Sequence, residues 1–246
     1  MPLFFIQPDW PAPARVRALS TTRAGGLSVG AFTGLNLGDH VGDDPATVLA
    51  NRALLQQEAS IPGRIPWLTQ VHGTAVHQAG APFTTAPEAD AACAHQARQP
   101  CAVMTADCLP VLFCDRAGTV VAAAHAGWRG LHAGVLEETL NAMGCEPAEV
   151  LAWMGPAIGP NAFEVGPEVR DAFLADQAEA VAAFTPSPNV GKWLADIYAL
   201  ARLRLARAGV SAVYGGEHCT VSDPARFYSY RRDSQTGRMV SLIWLE

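Results

Sequence analysis

The sequence predicts a single domain of mixed helices and strands over residues 1–246, and three observations carry that reading. Short apolar runs without a polar face, at residues 120–124 and 150–154, have the pattern of strands buried on both sides. Segments with apolar side chains three and four positions apart, at residues 46–58 and 132–143, have the spacing of a helix with one buried face. Proline and glycine are scattered rather than gathered, so no long linker or internal repeat divides the chain.

Each element has its own signal. Asp44-Pro45 opens the first helix, an N-cap acid followed by proline at the first helical position. Residues 67–71 (WLTQV) read as a short strand ending at His72-Gly73, and residues 76–100, the least regular stretch, as a surface loop or lid. Residues 102–105 and 109–114 read as strand pieces around a kink at Asp107-Cys108. Residues 132–143 read as one helix, with Val135, Leu136, Leu140 and Met143 on one side and Gly144 as its stop. Helices are expected over residues 167–183 and 194–208, and short strands near residues 211–214, 226–230 and 239–245.

Composition narrows the function. Half the residues are hydrophobic and 16% are charged, a globular balance rather than a disordered one. A net charge of −6 argues against general nucleic-acid binding, which needs clustered Lys and Arg, but leaves room for a small anion held by a few arginines. No run of about 18 apolar residues predicts a membrane span. The opening residues, MPLFFIQPDWPAPARV, lack a basic start, and Asp9 interrupts the apolar run, so no secretory leader is expected. Six cysteines in so apolar a chain need not be staples. The expectation is a cytoplasmic protein with reduced thiols.

Three segments share a design: an apolar strand, a metal-competent side chain at its end, and a small residue nearby. They are TQVHG (His72), MTADCLPVLF (Cys108) and AAAHAGWRG (His125). Strand ends are where open sheets place ligand sites. Imidazole with thiolate favours a borderline-soft ion such as zinc, and three ligands leave one position open. The separations, 36 and 17 residues, are not those of a zinc knuckle, and a lone strand-end histidine is more often structural than a ligand. Cys108 also reads as a nucleophile with His125 or His72 as its base. The nucleobase-deaminase signature is absent, because Pro100-Cys101-Ala102-Val103-Met104 lacks the second cysteine.

Residues 125–130, HAGWRG, run from a strand into a helix N-terminus, where backbone N–H groups favour an anion. Gly127, Trp128 and Arg129 are therefore candidates for substrate or phosphate contact. Arg52 and the Arg231-Arg232 pair add anion forks. Asp107 is a candidate to orient a ligand or move a proton, and equally a structural acceptor.

The motifs TTRAGGLS, LNLGDHVGDD, ANRALL, LTQVHG, TADCLPVLF, AAAHAGWRGL, GPAIGP, FEVG and YSYRRDSQTGR occur in that order. Together they resemble the laccase-domain family of bacterial proteins once called multicopper polyphenol oxidases. Members are also described as purine nucleoside phosphorylases and as a peptidoglycan editing factor. The resemblance covers residues 20–240.

It implies an α+β fold, a layered α/β/β/α sandwich with mixed sheets, and a metal site at His72, Cys108 and His125. The implied cofactor is zinc (Zn), with copper as the alternative. The implied activity is phosphorolysis of adenosine, inosine, guanosine and methylthioadenosine, with adenosine deamination beside it. Partners would be purine nucleoside and phosphate, with no nucleic acid and no membrane, in a monomer or weak dimer. Arg52 matches the family's arginine near the pocket, so Cys108, Arg52 and Asp107 are the expected catalytic residues. Arg52, Gly127, Trp128, Arg129 and Arg231 are the expected substrate or phosphate contacts.

One departure is Asn161-Ala162, where relatives often carry cysteine. Copper oxidation of phenols fits poorly, since multicopper centres draw on paired H-x-H runs and none occurs here. Cysteine-dependent hydrolysis of a cell-wall precursor is the other alternative.

Overall fold

The computed structural model describes residues 2–246. Strands β1 (Phe5–Ile6) and β2 (Val16–Thr21) lead to α1 (Pro45–Glu58). The Asp44 side chain caps α1 by accepting from Thr47 N at 2.9 Å, as the Asp-Pro opening predicts. Residues 67–71 form no strand, because only Thr69 bridges, to Glu88. Residues 76–100, expected as loop or lid, hold β3 (Val76–Gln78) and the fully buried β4 (Ala91–Ala94). Alanine and cysteine carry no β-branched signature, which hid β4 in the sequence.

Strands β5 (Cys101–Thr105), β6 (Leu109–Asp115) and β7 (Val121–Ala126) follow as expected. The single helix expected over residues 132–143 is two, α2 (Trp128–Ala133) and α3 (Val135–Met143). Gly134, at φ 101°, takes the left-handed turn that separates them. Next come β8 (Val150–Met154), β9 (Glu164–Val165) and α4 (Pro167–Asp176). The helix expected to reach residue 183 stops at extended Gln177 and resumes only as a 3-10 turn, Ala178–Ala183. The chain closes with β10 (Phe184–Pro186), β11 (Trp193–Ala195), α5 (Ile197–Arg207), β12 (Ala212–Gly215), α6 (Tyr230–Asp233) and β13 (Met239–Leu245). Residues 226–230 form no strand; α6 begins there instead.

Six strands pair in the order β12-β8-β6-β7-β4-β3, four in the order β1-β2-β13-β5, and β10-β11-β9 form a small third sheet. Period-two alternation assigns the faces. Ala92, Leu112, Val121, Ala123 and Trp153 of the large sheet meet Val103, Ile243 and Leu245 of the four-stranded sheet. The opposite face of the large sheet, with Val111, Phe113, Ala122 and Ala124, packs under α3, α4 and α5. On the outer face of the four-stranded sheet, Leu19, Met104 and Leu242 pack against Leu55 of α1. This is the expected α/β/β/α layering. No described helix is long and apolar enough to cross a membrane, and all six cysteines are free.

Candidate metal centre and active site

The chain passes from the four-stranded sheet to the six-stranded sheet between β5 and β6, through Ala106-Asp107-Cys108. Asp107 takes φ 87° to make that crossing, a conformation that Asp tolerates better than most residues. Pairing of Leu109 with Ala126 and of Pro110 with His125 then sets Cys108 beside the end of β7. His125 continues the row of Val121 and Ala123, so its ring enters the slot between the sheets. His72, at φ 62°, sits on the turn before β3.

These three residues converge. Cys108 Sγ lies 3.7 Å from His72 Nε2, and one ligand atom from each residue falls within 4.8 Å of the others.

Asp90, just ahead of β4, organises the group and was missed in the sequence. It is fully buried, and its carboxylate accepts from the backbone N–H groups of Val71, His72 and Gly73 at 3.1, 2.9 and 2.6 Å. The same carboxylate meets His125 Nδ1 at 2.8 Å. An ionised acid can only accept, so Nδ1 carries a proton, and Nε2 is the nitrogen left for Cys108 or a metal ion. The only sequence signal was an acid directly before a run of small residues, ADAACA, in a stretch that otherwise reads as loop.

The electrostatics single out Cys108. Burial alone raises a thiol's pKa, but the charge and hydrogen bond of His125, with His72 beside it, outweigh burial and bring Cys108 down to about 6. His125 is raised to about 9, because Cys108 and Asp90 outweigh the desolvation that disfavours its charge. Burial dominates at Cys93 and Cys114, and both are pushed up to about 12.

Two cavities meet at Cys108 and Tyr230. One, of about 380 Å³, is polar, with His40, Gln70, His72 and Arg238 on its walls. The other, of about 300 Å³, is walled by Trp128, Ile158, Phe163 and Ile197, with Arg129 and Arg231 at its edge. Trp128, Arg129 and Arg231 are thus brought together as a group. Arg129 stacks on Trp128, its guanidinium 4.5 Å from the ring centre, and Arg231 Nη1 donates to Glu164 O at 2.8 Å.

The other residues singled out in the sequence take different places. Gly127 lies against the donor group itself, and a Cβ there would come within 2.7 Å of His72 Cδ2 and 3.0 Å of Cys108 Sγ. Arg52 lines neither cavity. It stacks 4.1 Å over Trp67 and pairs with Asp39 at 3.2 Å, and Asp39 in turn reaches His40 at 3.5 Å. Asp107 is filled by three donors: Thr220 Oγ1 at 2.6 Å, Ser229 Oγ at 3.0 Å and Arg231 N at 2.7 Å.

The family model for multi-copper polyphenol oxidoreductase laccase matches residues 17–246. The chain belongs to this laccase family. Among its curated relatives are proteins named purine nucleoside phosphorylase. One, from Pseudomonas aeruginosa, is 58% identical over 98% of both chains, and another, from Escherichia coli, is 55% identical over 98% of both. A crystal structure of a Neisseria meningitidis protein superimposes with a TM-score of 0.94 at 56% identity, over 98% of this chain and 99% of the other. A Geobacillus stearothermophilus protein, YlmD, gives 0.88 at 32% identity over the whole of both chains.

For a laccase-family chain the donor set is short of copper-centre histidines but suits one borderline-soft ion. In a tetrahedral zinc site, bonds of about 2.0–2.3 Å hold the donor atoms about 3.4–3.7 Å apart. The 3.7 Å between Cys108 Sγ and His72 Nε2 matches that spacing, and the bare Gly127 leaves the room.

Proposed function

We propose that this protein is a zinc-dependent purine nucleoside phosphorylase, working in the cytoplasm on adenosine, inosine, guanosine and methylthioadenosine, with adenosine deamination as a secondary activity. One observation carries the reading: two imidazoles and a thiolate converge within 4.8 Å at the junction of a polar cavity and an aromatic one. The names of the close relatives supply the reaction class.

In phosphorolysis a phosphate oxygen forms a bond to C1′ of the ribose as the C1′–N9 bond breaks. The purine leaves with the electron pair and takes up a proton, giving free base and ribose 1-phosphate. Trp128 and Phe163 offer flat apolar faces for the base. Arg129 and Arg231 keep the mouth of that lobe positive and draw in anionic reactants. His72, Cys108 and His125 would hold zinc, which when bound supplies Lewis-acid stabilisation of developing charge. Asp90 keeps the His125 proton on Nδ1, and Asp107 fixes the turn that carries Tyr230 and Arg231. Arg52 acts at one remove, holding His40 in place through Asp39.

The test is metal analysis of purified protein alongside chromatography of inosine and adenosine incubated with and without phosphate. Free base that appears only with phosphate supports the reading. Protein carrying one zinc per chain that releases no base from either nucleoside sinks it.

A second reading, cysteine-dependent hydrolysis, draws on the low Cys108 pKa beside a charged His125. It requires activity that survives chelation and is abolished when iodoacetamide alkylates the metal-free protein.

A further inference from the structure

The polar cavity has a feature that the metal group does not use. Arg238 is the last residue of YSYRRDSQTGR, and it enters none of the ion pairs among the described residues. Its Nη1 donates to the carbonyls of Thr236 and Gly237, both at 3.1 Å, while Nε and Nη2 find no acceptor among the described residues. Its backbone is pinned by Asn36 Oδ1 at 2.9 Å, and its stem lies against Gly38, where a Cβ would come within 2.7 Å of Arg238 Cγ.

A third cavity, of about 390 Å³, shares Arg238, His40 and Tyr230 with the polar one. Arg238 Nε and Nη2 stay open on the cavity wall and are available to an incoming acceptor. An anion suits the site, because Arg238 brings a full positive charge and the cavity walls carry no carboxylate, the nearest being Asp39 beside His40, which Arg52 also pairs. It must also present several oxygens, because the donors come from the 236–238 turn and from the 39–40 loop.

We propose that Arg238, with His40, forms the seat of a tetrahedral oxyanion, inorganic phosphate. This rests on the phosphorylase reading for its purpose but not for its geometry. Phosphate held there enters the polar cavity from the side opposite Trp128 and Phe163, so nucleophile and base occupy different lobes with the metal group between them. Arg52 and Asp39 become positioning residues that hold His40 at the cavity wall.

The experiment titrates inorganic phosphate, and separately adenosine 5′-monophosphate, into zinc-loaded protein by calorimetry. It compares wild type with Arg238→Gln, Arg238→Lys, His40→Gln and Arg116→Gln. Arg116 is exposed in the turn at the far end of β6 from Cys108 and serves as the control. Loss of a charge-assisted fork is expected to weaken phosphate binding about 10- to 100-fold in Arg238→Gln, with part of the loss restored in Arg238→Lys. The KM for phosphate should rise by the same factor while the KM for nucleoside stays within about twofold. His40→Gln should lose several-fold and Arg116→Gln nothing.

If Arg238→Gln lowers zinc content or melting temperature, the exposed His40 decides the matter. Equal phosphate binding in wild type and His40→Gln then counts against the seat. Unchanged phosphate affinity in a folded Arg238→Gln overturns the proposal. So does a wild type that binds only the nucleotide, or no phosphate at all. Arg238-dependent phosphate binding in a protein that splits no nucleoside leaves the seat standing and defeats the phosphorylase reading instead.

Discussion

Asp90 and His125 are joined twice, side chain to side chain at 2.8 Å and His125 N to Asp90 O at 2.7 Å. The two bonds fix the ring's orientation as well as its tautomer. The carboxylate also gathers three consecutive N–H groups of the turn that carries His72. One buried acid therefore sets two of the three donors, and the geometry of the donor group depends on a residue that is not one of them.

Asp90→Asn should weaken zinc about 10- to 100-fold, read by competition with a chromophoric chelator. An amide nitrogen in place of Oδ2 would face the N–H groups of Val71 and Gly73, donor against donor. The same change should cost about 2–4 kcal/mol of stability. Zinc retention equal to wild type would remove Asp90 from its organising role.

Gly127→Ala separates metal binding from folding. Gly127 has φ −60°, which any residue adopts, so the backbone is unstrained. The added methyl, however, enters the space of His72 and Cys108. Expected are a zinc affinity lower by at least about tenfold and a stability change within about 1–3 kcal/mol. Gly144→Ala is the converse: φ is 64° with nothing within 4 Å, so it should cost about 1–2 kcal/mol and leave zinc untouched. Equal zinc affinity in the two variants would contradict this account.

In metal-free protein the rate of Cys108 alkylation should rise through pH about 6 and level off well below the range of an ordinary thiol near 8.5. The linkage has two sides. Folding lowers the thiol's pKa, so its stabilisation is full above about 8.5 and is lost as pH falls through about 6. Folding raises the imidazole's pKa, so its stabilisation is full below about 6.5 and is lost as pH rises through about 9. Both shifts describe one thiolate–imidazolium pair, intact between about 6 and 9. Cys93 and Cys114 should stay inert throughout. A single alkylation midpoint above pH 8 would contradict the pairing.

His72, Cys108 and His125 were legible because strand ends, residue types and flanking small residues coincide at each. Asp90 was not, because its partners lie 18 and 35 residues away and the strand that follows it is alanine and cysteine. Arg238 was not singled out among the arginines for a similar reason. Arg231 and Arg238 share one motif, but α6 turns the first toward Glu164 O while the following turn returns the second to the polar cavity. The break at Gly134 was hidden because one glycine inside a helical pattern is ordinarily tolerated. The layering came from the family resemblance. Periodicity located helix and strand faces but did not say which sheet each strand joins, since β5 and β6 are neighbours in sequence and belong to different sheets.

Asp107 decides between two roles for an acid next to a metal ligand. If it moved a proton, Asp107→Asn would abolish turnover and leave stability intact. Its carboxylate is instead filled by two hydroxyls and the N–H of Arg231, and its φ of 87° is one that Asn also tolerates. Asn retains the Oδ1 acceptor for Thr220, but it sets an amide donor against the Arg231 N–H. The 229–231 turn should then loosen, lowering stability by about 1–3 kcal/mol. Because that turn carries Tyr230, which walls both cavities, the KM for nucleoside should rise more than kcat falls. Asp107→Ala adds left-handed strain of about 1–2 kcal/mol to the lost bonds and should be the less stable of the two. Steady-state kinetics with thermal melts of both variants check the order, and a fully stable, inactive Asp107→Asn would assign the residue to proton transfer.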